Sequence, residues 1–416
     1  MFDPVTPFLL DLSIVLASAK LAGWAATRVG QPAVVGELVG GILLGNLALT
    51  GFHGLDSLRT DSVLAVLASL GVIVLLFEVG LESTVAQMVR VGPSAVLVAV
   101  LGVVAPFALG WAAGAWLLPG RPIYVHVFLG AVLTATSVGI TARVLRDLHE
   151  ARSHEARIIL GAAVFDDVLG LVILAVVSGI ITSANKGAGG ISVGATAVTA
   201  VKALGFLVGA IYLGSYLAPH LFRLAARVRV RGILLTSGLI FCFFLAYLAA
   251  RANLSPIVGA FAAGLILEGS TFQPFEEHVG QSMEDLLHPI STFLVPIFFV
   301  LTGARVDLRT FAEPSTIVLA AALTVAAWIG KQACSLGVLE PGVDRISVGL
   351  GMVPRGEVGL IFANVGAGLT LAGEPVITTA AYGAVVLMVI TTTLMTPPAL
   401  QWSLKRRRRR LLRAEA

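Results

Sequence analysis

Apolar stretches of eighteen residues or more recur from one end of the chain to the other, and they are continuous rather than alternating. Runs of that length predict helices that cross a membrane, because about 20 residues rising 1.5 Å each span the hydrocarbon. The alternation of a lipid-facing barrel strand is missing. Irregular backbone finds no hydrogen-bond partner in lipid, so each span is expected to be helical. The pattern predicts thirteen helices, near 8–27, 32–49, 61–80, 90–118, 122–145, 153–182, 194–222, 232–250, 254–269, 281–303, 313–339, 344–371 and 377–402. The second and ninth are short and glycine-rich, which fits broken or re-entrant segments. The expected fold class is all-α and polytopic.

A repeat runs through these helices. VVGELVGGILLG from Val34 aligns with IVGAFAAGLILE from Ile257, placing Gly36 and Gly41 on Gly259 and Gly264 at an offset of 223 residues. One helix later, Gly80 in LLFEVGLE and Gly303 in FFVLTGAR keep that offset. Two six-helix units follow, about 8–182 and about 232–402, joined by a linking helix about 194–222. An even unit followed by one linking span starts the second copy on the opposite side. The repeats are therefore inverted, as in secondary transporters that alternate between two related conformations around a midplane site.

Composition narrows the class. Of 416 residues, 57% are hydrophobic and 12% charged, which excludes an ordinary soluble domain. The opening MFDPVTPFLLDLS carries acids but no Lys or Arg, so the first run reads as a retained span and not a signal peptide. Cys242 and Cys334 lie in separate runs and the seven histidines form no metal motif, so neither a disulfide framework nor a cofactor is expected. Thirteen spans put 18 basic residues on the side of the C-terminus and 6 on the other. The positive-inside rule then sets the N-terminus outside and the C-terminus in the cytoplasm. The tail 403–416, with KRRRRRLLR, predicts contact with anionic lipid rather than nucleic acid.

Two predicted helices carry interruptions at matching places, the fifth of each unit. AVLTATSVGITARV crowds Thr134, Thr136, Ser137, Gly139 and Thr141 into one turn or two. GLGMVPRGEVGLIFANVG holds Pro354, which lacks an amide donor, among Gly351, Gly356 and Gly359. Breaks so placed point to an ion site, with Arg355 and Glu357 beside Gly356 offsetting the charges of exposed helix ends. The sixth helix, GAAVFDDVLGLVILAVVSGI, sets Asp166 beside Asp167 in an apolar run. Neighbouring helical positions diverge by about 100°, so one carboxylate faces a neighbouring helix and the other a wet cavity. A charge at the bilayer centre costs about 2.5 kcal/mol or more even on lenient scales, so both must be compensated. Lys331, deep in LTVAAWIGKQACSLG, is the expected partner of Asp166, whereas Lys20 and Lys202 lie near helix ends and snorkel. Burial favours the neutral acid and a nearby cation favours the carboxylate, so sodium and protons compete for one set of oxygens. Asp166, Asp167, Thr136 and Ser137 are the expected sodium ligands. Glu78 is a secondary candidate for proton access or a structural pair with Arg355 or Arg143.

The segments PAVVGELVGGILLG, LLFEVGLE, TATSVGITARVL, IILGAAVFDDVLGL, SPIVGAFAAGLIL, PIFFVLTGARVDL, IGKQ and GMVPRGEVGLI together resemble the bacterial NapA-type sodium/proton antiporters of the monovalent cation:proton antiporter-2 family. The resemblance implies thirteen helices with the fifth and twelfth crossing, Asp167 as principal ion ligand, and a Lys331–Asp166 pair that releases a proton as sodium binds. It further implies electrogenic exchange of two protons for one sodium and a homodimer moving like an elevator. Transport elements are expected about 61–182 and 281–402, and dimerisation elements about 8–49 and 194–269. Lithium or potassium would also suit an oxygen-rich site, and Kef-type relatives are potassium systems. A sodium-coupled symporter for an organic anion is the competing transporter class, but it has no need of Lys331. An intramembrane aspartyl protease requires two carboxylates meeting from different helices, which sequential aspartates do not offer, and inverted repeats disfavour a passive channel. The expectation is a transporter and no enzyme.

Overall fold

The computed structural model describes residues 5–82, 92–137, 141–142, 145, 150, 153–185, 193–226, 230, 232–252, 254–267 and 282–415. Its helices are α1 (Val5–Arg28), α2 (Ala33–Gly45), α3 (Ser62–Glu82), α4 (Pro93–Leu117), α5 (Ile123–Val132), α6 (His154–Asn185) and α7 (Val193–Ala226). They continue with α8 (Ile233–Arg251), α9 (Pro256–Ile266), α10 (Met283–Ala304), α11 (Pro314–Ala333), α12 (Arg345–Gly351), α13 (Gly356–Gly368) and α14 (Thr379–Glu415). A two-residue antiparallel pair, β1 (Thr370–Leu371) with β2 (Glu374–Pro375), closes the loop before α14. Among the described residues nine helices are long and apolar enough to cross a membrane, and α12 with α13 form a further pair bent by 46°. Shorter apolar helices are α2, α5 and α9. The chain is an all-α polytopic membrane protein.

Local chemistry explains the starts. Proline opens α4, α9 and α11, where its missing N–H would have had no helical partner. Ser282 and Asp285 close a reciprocal capping box on α10.

Two expected helices are interrupted and one runs further. The fifth breaks after Val132, where Thr134 turns its hydroxyl onto the Ala131 carbonyl at 2.8 Å, and residues 141, 142 and 145 are helical again. The twelfth is cut between Gly351 and Gly356, at Pro354, and its predicted last residues 369–371 belong to the β1 loop. The last helix, α14, runs on from its expected end through the basic segment to Glu415.

Two compact units emerge. The first comprises Met1–Trp24, Glu37–Ala86 and Leu174–Arg305. In it α3 packs against α9 and α10, and α8 against α9 and α7. Bare glycines permit the closest approaches. A Cβ on Gly41 would collide with the Val300 backbone, and one on Gly303 with the Leu38 carbonyl. Equally, a Cβ on Gly80 would strike the Phe261 carbonyl, and one on Gly264 the Phe77 carbonyl. The 223-residue offset exchanges these two contacts: Gly41 maps to Gly264 and Gly80 to Gly303. Small residues bring membrane helices into contact because lipid supplies no hydrophobic drive between them. Gly303→Ala is expected to destabilise the fold by about 1–3 kcal/mol or more, as overpacking does. Gly205→Ala, where a Cβ meets nothing within 4 Å, is expected to be neutral or slightly stabilising. Thermal unfolding in detergent compares the two, and equal melting temperatures would contradict the packing argument.

The second unit comprises Ala25–Gly36, Gln87–Ile173 and Val306–Ala416. There α4 packs on α5 and α11, α11 on α14, and α13 on α14 and α5. Val98, Ala99, Ile159, Ala162, Cys334 and Met352 form an apolar cluster that seats the first half of α6. A polar clasp ties the end of α14 into this unit. Arg407 pairs with the fully buried Glu155 of α6 at 2.9 Å, and the Asp344 amide donates to Glu155 at 2.9 Å. Ser403 and Ser347 both donate to Asp344, at 3.0 and 2.8 Å, and Arg406 lies 3.7 Å from it.

Candidate functional site

The site is built where two interrupted helices meet. Pro354 has no N–H and Gly356 takes a positive φ of 39°, so helix cannot run from α12 into α13. On the other side, Leu133 and Thr134 turn the chain away from α5. Each break exposes backbone groups, and the other break satisfies them. The Ser137 amide donates to the Pro354 carbonyl at 2.8 Å. Thr136 Oγ1 donates to the Met352 carbonyl at 3.3 Å, and Thr141 Oγ1 to the Gly351 carbonyl at 2.6 Å. Arg355 Nη1 donates to the Ala135 carbonyl.

Charges sit where the half-helices leave partial charge. The Arg355 guanidinium, wholly buried, lies against a carbonyl just past the C-terminal end of α5. Glu357 occupies the first turn of α13, the amide end, and accepts Ser137 Oγ at 3.0 and 2.8 Å. Both signs complement the helix ends they face.

Asp166 and Asp167 lie midway along α6. Lys331, in the last turn of α11, places Nζ 3.0 Å from Asp166 Oδ1, and both side chains have no exposure. Asp166 Oδ2 is buried and has no hydrogen-bond partner among the described residues. Arg355 is within electrostatic range of both Asp166 and Lys331, which ties the pair to the crossed breaks. Asp167 keeps 8% exposure where Asp166 keeps none. A charge pair closed off from solvent, one residue from a second carboxylate, can exchange one counter-charge for another without any covalent step.

Other expected residues fall elsewhere. Thr134 caps its own turn, and Gly139 and Arg143 lie outside the described residues. Glu78 belongs to the first unit, where it hydrogen-bonds Ser291 with His288 and Glu284 nearby, while Arg355 is engaged at Ala135. Lys20 donates to the Thr292 carbonyl at 3.3 Å. Thr393 was not anticipated. Its Oγ1 accepts the Gly356 amide at 3.4 Å, and the signal was present in the hydroxyl-rich run TTTLMT, the same crowding that marks the other break. Gly102 was also passed over, although it lies beside Lys331.

The chain is similar to known membrane transporters. The high-affinity Na(+)/H(+) antiporter NhaS3 of Synechocystis is 38% identical over 393 residues, covering 86% of this chain and 82% of that protein. The Na(+)/H(+)-K(+) antiporter GerN of Bacillus cereus is 34% identical, over 89% of this chain and 91% of its own. The solved structure of the sodium proton antiporter MjNhaP1 from Methanocaldococcus jannaschii shares the fold, with a TM-score of 0.68 at 17% identity over 95% of this chain and 97% of that one. Residues 15–405 match the family described as sodium/hydrogen exchanger, transmembrane, and the chain belongs to that family of membrane transporters.

Proposed function

We propose that this chain is a sodium/proton antiporter of the NapA type, exporting cytoplasmic sodium against inward protons with two protons per sodium. The observation that carries the reading is the sealed Lys331–Asp166 pair, 3.0 Å long, one residue from Asp167 and in electrostatic range of the crossed breaks. Sodium reaches Asp167 first and then claims Asp166, displacing the Lys331 ammonium. Thr136 and Ser137 donate their hydroxyl hydrogens across the break, so their oxygens keep lone pairs that can replace water around the ion. Sodium and protons then hold the same oxygens at different times, which couples their movements.

The reading includes a topology of thirteen spans in two inverted repeats, with α2, α5, α9 and the α12–α13 pair counted as spans. The N-terminus is outside and the C-terminus in the cytoplasm of a bacterial inner membrane. The second unit carries the ion. A homodimer forms through α1, α2 and α7 to α9, supported by the exposed apolar side chains Leu21, Trp24, Tyr212 and Tyr216 on α1 and α7. Anionic lipid meets the exposed Lys405, while Arg406 and Arg407 bond within the chain. Potassium is the second reading for the ion, supported by the name of GerN.

Purified protein in liposomes holding a pH dye tests the proposal. Sodium, and lithium with it, is expected to dissipate an imposed pH gradient and potassium is not. A response to potassium alone transfers the proposal to the second reading, and no response to any of the three cations sinks it.

A further inference from the structure

Three glycines lie where α4 meets α11 and the 3-10 turn Cys334–Gly337 that follows it, and packing accounts for two of them. A Cβ on Gly330 would lie 2.7 Å from Pro106 Cα, and one on Gly337 would lie 2.6 Å from the Val98 amide nitrogen. Both are backbone collisions, so any side chain there would push the helices apart. Gly102 differs. Its Cβ would stand 3.4 Å from Lys331 Nζ, 3.8 Å from Lys331 Cδ and 3.4 Å from Cys334 Cβ, all ordinary contact distances. An alanine would fit without moving the backbone, and in a helix interior glycine is less favourable than alanine. Helix packing therefore does not require Gly102. What its bare backbone leaves is room for one methyl group beside the ammonium of Lys331, whose side chain is fully buried.

That room lies where the ammonium must go. Lys331 holds Asp166 through Oδ1 alone, and Oδ2 of the same carboxylate is buried without a hydrogen-bond partner among the described residues. A cation binding at Asp166 would repel the ammonium from Oδ1, and Arg355 also repels it, being of like charge and in range. On its α4 side stands Gly102, which carries no side chain to block it.

We propose that Gly102 is a positioning residue for Lys331, giving its ammonium space along α4 to leave Asp166 when a transported cation arrives. This rests on the reading that cation and ammonium compete for Asp166. A methyl group at 102 would hold the ammonium against the carboxylate, and sodium would have to displace a more tightly held partner.

The test is sodium titration of Gly102→Ala in liposomes, paired with the sodium concentration that half-stabilises the protein against thermal unfolding. Both midpoints are expected to rise about three- to tenfold, within the range that the net contribution of one ordinary hydrogen bond gives, with little change in maximal rate. Gly102→Ser, whose side chain fills the same space, is also expected to raise them and covers the case in which the alanine variant misfolds. In a Lys331→Gln background the Gly102→Ala shift in the stabilisation midpoint should vanish, since no ammonium remains to be held. The proposal is overturned by unshifted midpoints in both variants, or by the same shift with and without Lys331. Failure of sodium to stabilise the parent protein at all would instead overturn the competition reading beneath it.

Discussion

Replacing Asp167 with asparagine is expected to reduce sodium-driven proton movement in liposomes to the level of protein-free vesicles, while the protein stays folded and monodisperse. The two side chains have nearly the same shape, so α6 and its packing are undisturbed. The neighbouring Asp166 keeps its 3.0 Å bond to Lys331. What disappears is a fixed negative charge at the more accessible of the two positions. Moving sodium out of water sacrifices its hydration, and a neutral amide oxygen cannot offset that cost in a low-dielectric site as a carboxylate does. The amide also takes up no proton, so neither competitor is served. Asp166→Asn makes an instructive contrast. It strands a buried ammonium, and losing one partner of a buried pair costs about 3–5 kcal/mol. That variant is expected to melt lower as well as lose exchange. Dye-reported transport together with melting temperature separates the cases: an Asp167→Asn protein that exchanges at the parent rate would remove Asp167 from the coupling step.

The Lys331–Asp166 pair was legible in the sequence because charge so deep in apolar helices must find charge of the other sign. Few candidates sit far enough from a helix end, so pairing by elimination succeeds even across 165 residues. The twelfth helix was legible for a covalent reason, since Pro354 has no amide hydrogen to give. The fifth was legible as an interruption through its crowd of Thr, Ser and Gly, but its last helical residue was not. Threonine and serine are tolerated in membrane helices, and only the amide of Ser137 reaching the Pro354 carbonyl shows that the helix has ended. Glycines were legible as a class but not by role. The sequence marks Gly41, Gly80, Gly264 and Gly303 through their shared offset, yet nothing in VLGVVAPF distinguishes Gly102 from a packing glycine. The clasp was hidden for another reason. Arg407 looks like one of five identical arginines, and its partner Glu155 lies at the start of a helix far away in sequence. Local pattern assigns such a run to lipid, whereas tertiary packing gives Arg406 and Arg407 to protein carboxylates.

Exchanging Lys331 for glutamine is expected to preserve measurable sodium-driven proton movement while removing its dependence on membrane voltage. Glutamine keeps an amide donor that can reach toward Asp166 Oδ1, so it tests charge with part of the hydrogen bonding retained. In a cycle of two protons per sodium, one elementary charge moves each turn. If the lysine supplies one of those protons, its loss leaves one proton per sodium and no net charge. The reversal point of exchange would then follow the ion gradients alone. Stability should fall, because a buried carboxylate that loses its partner costs about 3–5 kcal/mol. Arg355, within range of Asp166, offsets part of that loss, so the drop in melting temperature should be smaller than for Lys331→Ala with Arg355→Gln added. The measurement is the reversal condition in liposomes whose voltage is set by a potassium gradient and valinomycin. A variant whose reversal still shifts with voltage as the parent's does would show that Lys331 carries no transported proton. The ammonium would then serve only to hold Asp166 in place, and the second proton would have to come from another group, for which Glu357, bonded to Ser137 at the crossing, is a titratable candidate.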